Sequence, residues 1–357
     1  MRILHFVPDI GSANGVLSAV LNFARSMPED IKFDIVYFHE TEENKKDEIE
    51  ALGSRVFKIS APSPKTVLNG EIKKLFNEHK GEWSALHIHA PHFAVFIAQY
   101  AKRAGIKKIC VHCHSTEFSL KGNSKRNELL SLYSKYFIKD RFACSDNAGK
   151  LWYGNKPFTV INNAIDCKKF AFDEKIRAAK RKELGLRDEF VVAHIGRTDI
   201  PQKNHNYLLT VFNEIVQINE NSVLLLIGGE KTDLLFDFCK KQGIEDKVRF
   251  MGIRHDIPEL LCASDVFVFP STKEGLPVSV IEAQASGLPV VMSDTVTKEA
   301  IITDLVIPAS LSLSPSYWAM VCTEDIDTSR PDTFKTLQEK KWDINSVSEI
   351  LEAYYKE

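Results

Sequence analysis

The chain has 357 residues, of which 44% are hydrophobic and 26% are charged, a composition that excludes a disordered or fibrous protein. Lysine and arginine number 46 against 48 acidic residues, so the net charge of −2 gives no reason to expect nucleic acid as a partner. At roughly 150 residues per domain, the length predicts about two domains.

Short β-rich runs alternate with helical stretches in the first half of the sequence. The predicted strands are 3–7, 33–38, 56–59, 85–89, 108–113, 141–144 and 158–161, and the clearest helices are 16–26, 69–79 and 94–104. Strands that alternate with amphipathic helices form βαβ units. This half therefore predicts a parallel sheet of about seven strands with helices on both faces.

The same alternation restarts after a polar, charged stretch at 166–188, which we interpret as a linker with a short helix. The next strands are predicted at 190–195, 223–227, 248–251, 266–270 and 289–292, with helices at 207–217, 232–242, 256–262 and 278–286. After Ser310 the pattern loosens into a turn-rich segment, and a last amphipathic helix is predicted at 347–356.

These elements predict an α/β protein of two Rossmann-like, doubly wound parallel-sheet domains that face a central cleft. We expect an N-terminal domain at 1–165, a C-terminal domain at 166–340, and a helix within 341–357 that packs back toward the N-terminal domain. Ligands of such sheets bind at the carboxyl ends of the strands, so motifs at those ends are the candidates for function.

The most informative motif is DVFVFPSTKEGLPVSVIEAQASGLP at 265–289. It is typical of a buried strand, a tight loop and a helix that begins near Val278. Glu274 lies in the loop and Glu282 lies in the helix, so the two carboxylates could bind two hydroxyl-bearing parts of one ligand. The free N–H groups of the helix N-terminus would hold a phosphate between them. Two surface acids without a role are the alternative.

This segment resembles the signature of glycosyltransferase family 4, whose members are retaining enzymes of the GT-B fold. The resemblance covers nearly the whole chain and is closest to transferases of bacterial exopolysaccharide and capsular polysaccharide biosynthesis. It continues in three further motifs, which are Gly196-Arg197 with Gln202-Lys203-Asn204, the sequence NAID at 163–166, and Phe250-Met251-Gly252.

A nucleoside diphosphate leaving group gains negative charge in the transition state, and fixed cations stabilise that charge. Arg197 and Lys203 suit this task, and the resemblance implies the same assignment. The resemblance also implies that Glu274 binds the donor sugar and that Glu282 binds the ribose. The other residues that it implies at the donor site are Gly196, Ile253, Arg254, Gly275, Leu276, Pro277, Val278 and Ser279.

Two residues of the first half are also candidates. Gly15 follows the first strand, in a loop where the family carries two glycines and where a small residue lets the backbone approach a phosphate. His114 follows the strand at 108–113, and the resemblance implies that this histidine is catalytic, near the donor and the acceptor.

The sequence also contains a possible metal-binding pattern, in which His87 and His89 share a strand face, as do His112 and His114. Cys110 and Cys113 lie between them but should point to opposite faces, and in GT-B enzymes cations and helix ends replace the metal. We therefore expect no metal and no cofactor, with the nucleotide sugar as a substrate.

Seven scattered cysteines favour reduced thiols and a cytoplasmic location. Pro8 and Asp9 interrupt the first apolar run too early for a signal peptide, and no run approaches the roughly 20 apolar residues that span a bilayer. Peripheral contact with the inner membrane surface is still predicted from the local basic residues Lys102, Arg103, Lys107, Lys108, Lys121, Lys125, Arg126 and Lys135.

Together these features predict a retaining, metal-independent glycosyltransferase. It would move a sugar from a nucleotide-sugar donor, with uridine as the default base, to a glycan or polyprenyl-lipid-linked acceptor in exopolysaccharide or capsule biosynthesis. A nucleotide-sugar epimerase on the same fold and an inactive nucleotide-sugar-binding subunit are the alternatives. An NAD-dependent oxidoreductase is disfavoured because the sequence lacks a G-x-G-x-x-G turn.

Overall fold

The computed structural model describes residues 1–11, 14–68, 70–115, 118 and 124–357. The described residues form two compact units. The first unit comprises Met1–Ile165 together with Lys341–Glu357, and the second comprises Asp166–Lys340.

A parallel sheet of seven strands forms the centre of the first unit, in the order β3-β2-β1-β4-β5-β6-β7. Growth of the sheet changes direction between β1 and β4, which is the position where doubly wound sheets bind ligands. The strands are β1 (Arg2–Phe6), β2 (Lys32–Tyr37), β3 (Val56–Lys58), β4 (Ala85–Ile88), β5 (Lys108–Cys113), β6 (Asp140–Ala143) and β7 (Thr159–Val160).

Helices cover both faces of this sheet. One apolar cluster contains α1, and a second on the other face contains α4, α5 and α7. The helices of this part of the chain are α1 (Gly15–Ser26), α2 (Lys46–Ala51), α3 (Pro64–Leu68), α4 (Glu71–Glu78), α5 (Ala94–Arg103), α6 (Ser124–Phe137) and α7 (Asp146–Tyr153).

The second unit repeats this arrangement with six parallel strands in the order β10-β9-β8-β11-β12-β13. Its change of direction lies between β8 and β11. The strands are β8 (Phe190–Ile195), β9 (Ser222–Ile227), β10 (Val248–Gly252), β11 (Val266–Phe269), β12 (Val290–Ser293) and β13 (Val306–Ala309). The helices are α8 (Cys167–Phe170), α9 (Glu174–Glu183), α10 (His205–Ile218), α11 (Asp233–Gln242), α12 (Ile257–Ala263), α13 (Val278–Ala285), α14 (Pro315–Thr323) and α15 (Phe334–Glu339). The predicted fold class, two Rossmann-like parallel sheets, is confirmed.

The prediction of a linker with a short helix at 166–188 is only partly correct, because this stretch contains two helices, α8 and α9, and forms part of the second unit. Two of its charged side chains, Lys180 and Arg181, are buried and paired. The Arg181 guanidinium donates to the carbonyl groups of Ala263 and Glu189, and Lys180 binds Asp256 at 2.8 Å. The segment after Ser310 is also more regular than predicted, since α14 buries Trp318 completely.

The last helix, α16 (Ile344–Lys356), completes the first unit. Its side chains Val347, Leu351 and Tyr355 are buried in the same apolar cluster as α1. A parallel bridge between Ile165 and Asp343 precedes it. Over the described part of the chain, none of the helices combines the length and the apolar character needed to cross a membrane.

Candidate active site

The loops after β8 and β11 bring two of the predicted site residues together in the second unit. Lys203 ends a short 3-10 turn, and its Nζ lies 2.8 Å from Oε1 of Glu274. The two side chains are only 18% and 19% exposed, and the Lys203 ammonium also lies 4.7 Å from the centre of the Phe269 ring. This ion pair is therefore partly shielded from water and lies at the carboxyl end of β11.

Backbone hydrogen bonds join the two loops that carry this pair. The Thr272 N–H donates to the carbonyl of Gln202 at 2.8 Å, and the Asn204 side-chain amide donates to the carbonyl of Pro270 at 3.2 Å. Asn204 has a left-handed backbone conformation, with φ at 57°, which ends the turn and begins α10. The position of Lys203 relative to Glu274 thus depends on main-chain contacts as well as on the ion pair.

Arg197 follows β8 and forms two hydrogen bonds with the Asp199 carboxylate, at 3.0 and 2.8 Å. Both side chains are exposed. An exposed ion pair contributes about 1 kcal/mol or less, so an incoming diphosphate could replace Asp199 as the partner of Arg197 at little cost.

Two glycines let the loops of this site approach each other closely. A Cβ at Gly196 would lie 2.7 Å from Nε2 of His194 and 3.0 Å from Cδ of Lys203. A Cβ at Gly229, after β9, would lie 2.5 Å from the backbone nitrogen of Thr198. Gly196 was predicted as a site residue, whereas the close contact at Gly229 depends on the neighbouring loop and was missed.

Two buried histidines support the Gly196 turn and were also missed. The Nδ1–H of His194 donates to the carbonyl of Val268 at 2.8 Å, and the His194 and His205 rings meet edge to face at 5.1 Å. Burial lowers the pKa of His205 to about 4 and holds the pKa of His194 well below its usual value, so both are neutral. The signal was present in the sequence, because His194 precedes Gly196 by two positions.

Glu282 lies in the second turn of α13 and is half-buried. Burial raises its pKa to about 7, and the charge of Lys169 opposes this shift in part. The N-cap of α13 is Pro277, which has no side-chain acceptor, so the first N–H groups of the helix remain available to an anion. The neighbouring positions Gly275, Leu276, Val278 and Ser279 are partly exposed beside it.

The loop after β10 carries the other two predicted donor-site residues. The Ile253 side chain is half exposed. The Arg254 guanidinium binds both oxygens of Asp256, at 2.7 and 2.5 Å, and its hydrogen bond is the main reason that the pKa of Asp256 is depressed. The Arg254 side chain is therefore paired with Asp256 at the start of α12. Ile253 and the backbone of this loop are the groups that could contact a ligand.

In the first unit, three histidines form a row that includes the predicted residue His114. The nitrogens of His5 and His89 lie 2.9 Å apart, those of His89 and His114 lie 2.8 Å apart, and Nδ1 of His114 lies 2.8 Å from Oδ1 of Asn163. With the Asn163 oxygen as acceptor, each ring donates from Nδ1 and accepts at Nε2, except that Nε2 of His5 has no partner among the described residues. Both nitrogens of His114 are thus occupied.

The histidine row (His5, His89 and His114) is neutral. Burial lowers the pKa of His5 to about 3 and that of His114 to about 4. Two more rings, His87 and His112, pack against the row and are also neutral because they are buried.

Neutral imidazoles are common metal ligands, and two groups of three bring their nitrogens within 4.8 Å. The His87 and His89 rings, however, are stacked at 4.3 Å with only 13° between their planes. Because the nitrogen lone pairs lie in the ring planes, stacked rings do not converge on one ion. This stacking concerns the first group, which is His5 with His87 and His89. In the second group, His89 with His112 and His114, the rings are tilted by 32° to 35°, and the His89 and His114 nitrogens are already paired with each other.

Gly15, the remaining candidate, is the first residue of α1 and has open space where a Cβ would be. Asn14 caps this helix by accepting the Leu17 N–H at 3.0 Å. The loop before it is held by Asp9, whose carboxylate accepts the Gly11 N–H at 2.8 Å. Residues 12 and 13 of this loop lie outside the described residues.

Comparison with known proteins shows which proteins this chain is similar to. Residues 189–312 match the family model described as Glycosyl transferases group 1. EpsF of Bacillus subtilis, named as a glycosyltransferase, is 29% identical over 346 residues, which cover 92% of this chain and 89% of EpsF. The UDP-Gal:alpha-D-GlcNAc-diphosphoundecaprenol alpha-1,3-galactosyltransferase of Escherichia coli is 31% identical over 231 residues, which cover 60% of this chain and 59% of that protein.

Among solved structures, the crystal structure of Anabaena HepE in complex with UDP and glucose matches with a TM-score of 0.79 at 19% identity. The match covers 100% of this chain and 99% of HepE. The fold is therefore shared over the whole length, and the match to the family model lies in the second unit. Residues 189–312 of this chain thus match a Glycosyl transferases group 1 domain, the relatives are named as glycosyltransferases, and the two parallel sheets have the GT-B fold.

Proposed function

We propose that the protein is a retaining, metal-independent glycosyltransferase that uses a UDP-linked sugar and a lipid-linked glycan acceptor in exopolysaccharide or capsule biosynthesis. The observation that carries the proposal is the shielded Lys203–Glu274 pair at the carboxyl end of β11. It supplies a cation for a departing diphosphate and a carboxylate for sugar hydroxyls within one small site.

The donor would be held by groups of the second unit. Lys203 and Arg197 would bind the diphosphate oxygens, and the uncapped N-terminus of α13 would add backbone N–H groups. Glu282 would accept hydrogen bonds from the ribose hydroxyls, and Ile253 would pack against the base. These cations and N–H groups supply positive charge at the diphosphate, which is the reason that we expect no metal requirement.

The proposed transfer keeps the configuration of the anomeric carbon. The bond from that carbon to the diphosphate oxygen breaks, the bond to the acceptor oxygen forms on the same face, and the acceptor proton passes to the departing diphosphate. Occupation of both His114 nitrogens supports the diphosphate rather than His114 as the proton acceptor. His114 would then serve catalysis by contacting and orienting the substrate.

Relatives support the classes of donor and acceptor. The Escherichia coli relative is named for UDP-Gal and a diphosphoundecaprenol-linked acceptor. A Campylobacter jejuni relative, 31% identical over 147 residues, is named for a diphospho-undecaprenol acceptor as well. The structural neighbour HepE was solved with UDP and with UDP-glucose. A lipid-linked acceptor would be presented at a membrane surface.

The experiment that tests the donor assignment is a panel of UDP, GDP and ADP, each measured by calorimetry and thermal shift with and without EDTA. We expect UDP alone to raise the melting temperature, by an amount that EDTA does not change. At 100 times its dissociation constant, a ligand adds about 2.7 kcal/mol to the free energy of unfolding. A response to no nucleotide would contradict the proposal, and a UDP response lost in EDTA would contradict its metal independence.

A donor-only incubation separates the proposal from the epimerase alternative. A transferase without acceptor leaves the donor sugar unchanged apart from slow hydrolysis, whereas an epimerase converts it to a second nucleotide sugar. An inactive binding subunit would bind UDP and give neither product when the acceptor is added.

A further inference from the structure

The helix α6 of the first unit has an inverted distribution of polar and apolar side chains. Its outer side chains Leu129, Leu132, Tyr136 and Phe137 are 66%, 42%, 58% and 65% exposed. On the inner face, Asn127, Ser131 and Ser134 are buried. A helix at the surface of a soluble protein normally has the opposite arrangement.

Most polar groups of the inner face have hydrogen-bond partners, although Oδ1 of Asn127 has none among the described residues. The Ser131 hydroxyl donates to the carbonyl of Glu128 at 2.6 Å, and the Ser134 hydroxyl donates to that of Ser131 at 2.7 Å. The Asn127 amide donates to the carbonyl of Phe118 at 3.0 Å. Rotating the helix to bury its apolar side chains would break the Asn127 contact and expose the small residues that allow close packing. The exposed apolar face therefore points to an external surface that covers it.

Cations lie directly beside these apolar side chains. The ammonium groups of Lys156 and Lys135 lie 5.1 and 5.7 Å from the centre of the Tyr136 ring. Lys139 is exposed two positions after Phe137. Several of the basic residues predicted to contact a membrane lie in this helix. Lys125 and Arg126 are exposed at the start of α6, and Lys135 is near its end. Lys121 lies outside the described residues.

Leucine, tyrosine and phenylalanine surrounded by lysines are the composition that suits the surface of an anionic bilayer. The apolar side chains enter the boundary between headgroups and acyl chains, tyrosine lies at headgroup level, and lysine ammonium groups reach the lipid phosphates. A protein partner would need a surface that is both acidic and apolar to match this face. The lysines here surround the apolar side chains and form no defined pattern that one such partner would match.

We propose that the α6 face, formed by Leu129, Leu132, Tyr136 and Phe137 with Lys135, Lys139 and Lys156, docks the protein on an anionic lipid bilayer. The inference deepens the proposed function, because a lipid-linked acceptor would lie in that bilayer. The binding itself needs neither donor nor acceptor, so it can be tested separately.

The test is sedimentation of the full-length protein with vesicles of phosphatidylcholine that contain either no or one-third phosphatidylglycerol. We expect binding to the anionic vesicles only, weakened by high salt. The double variant Leu129→Ser, Phe137→Ser should bind at least tenfold more weakly. The double variant Lys139→Glu, Lys156→Glu should lose more than tenfold, since each lysine near an anionic surface contributes about fivefold.

The matched control is Leu234→Ser, which removes a 76% exposed leucine from α11 in the second unit and should bind vesicles as the wild type does. Circular dichroism establishes that each variant is folded. Wild-type protein that does not sediment, or α6 variants that bind like the control, would overturn the proposal. Self-association of the wild type that the α6 variants abolish, without vesicle binding, would also overturn it in favour of a second copy.

Calorimetry with UDP keeps this proposal apart from the proposed function. If UDP binds and vesicles do not, the docking surface is wrong while the donor site stands. If vesicles bind and UDP does not, the donor assignment fails while the docking surface stands.

Discussion

The contact between Glu274 and Lys203 predicts a large loss of turnover from a single substitution. Glu274→Gln keeps the shape of the side chain and removes the charge that contacts Lys203 and, in the proposed complex, the sugar. We expect turnover to fall by about 10² to 10³, the usual effect of losing one preorganised polar group, while the dissociation constant of UDP changes little. Asp199→Asn is the matched control, because it frees Arg197 and should leave UDP binding unchanged or tighter. Equal turnover in Glu274→Gln and wild type would remove Glu274 from the site.

Glu282 predicts how donor binding depends on pH. Its pKa is raised to about 7 by burial, so the carboxylate that would accept ribose hydrogen bonds is formed only as the pH rises through that value. UDP should therefore bind more tightly at pH 8 than at pH 6. Glu282→Gln should bind about tenfold more weakly and show a flatter pH dependence, since hydrogen bonds to a charged group contribute about 1.5–3 kcal/mol. The same slope in both proteins, measured by calorimetry, would assign the dependence to another group.

The helix α16 belongs to the first unit although it follows the second unit in the sequence. Leu351 is fully buried there, and the Tyr355 hydroxyl lies 2.6 Å from Nδ1 of His87. We expect Leu351→Ala to lower the free energy of unfolding of this unit by about 2–5 kcal/mol, the usual cost of such a cavity.

Urea denaturation measures this loss, and Glu349→Ala, at an exposed position of the same helix, should change stability by no more than about 0.5 kcal/mol. Equal stability of the two variants would mean that α16 is not part of the core of the first unit.

The elements that could be predicted are those with a simple period. The strands β1 to β12 were assigned to within two residues, and with them the parallel sheets, whereas β13 was not predicted. The stretch that contains α9 was predicted as mostly linker because its charged residues, such as Lys180 and Arg181, bind partners that are distant in sequence. The helix α14 was missed because an apolar, turn-flanked segment of nine residues has no clear period, although Trp318 is fully buried within it.

The candidate site shows the same division. The family resemblance predicted roles for Lys203 and Glu274, and the structure places their charged groups 2.8 Å apart. Spacing could not show that Arg197 pairs with Asp199, because a side-chain rotamer decides that contact. Nor could it give the order of the histidine row, which depends on the register of β1, β4 and β5 and on Asn163 beyond β7.

At the level of the whole protein, the buried histidines predict acid lability. Folding lowers the pKa of His5 from 6.5 to about 3 and of His114 from 6.5 to about 4, so below pH 6.5 the unfolded chain binds protons that the folded protein does not. The free energy of unfolding should therefore fall as the pH drops below 6.5, by up to about 1.4 kcal/mol per pH unit for each such histidine. Glu282 has the opposite sign between pH 4.5 and 7, because its folded pKa is raised, and it offsets one histidine at most.

Melting temperatures recorded between pH 7.5 and 5 test this expectation. His5→Phe, which can stack on Phe33, should reduce the slope, and His255→Gln, at an exposed position, should not. A melting temperature that stays constant over this range would show that the buried rings become protonated without cost.

The central claim is transfer of a sugar from a UDP donor to a lipid-linked acceptor with retention of configuration. The direct measurement incubates the protein with UDP-sugars and a short-chain polyprenyl diphosphate sugar in anionic vesicles, and follows the anomeric proton of the product by NMR. We expect a new glycosidic bond with the anomeric configuration of the donor, formed in EDTA and lost in Glu274→Gln. An inverted product, or none from a protein that binds UDP, would contradict it.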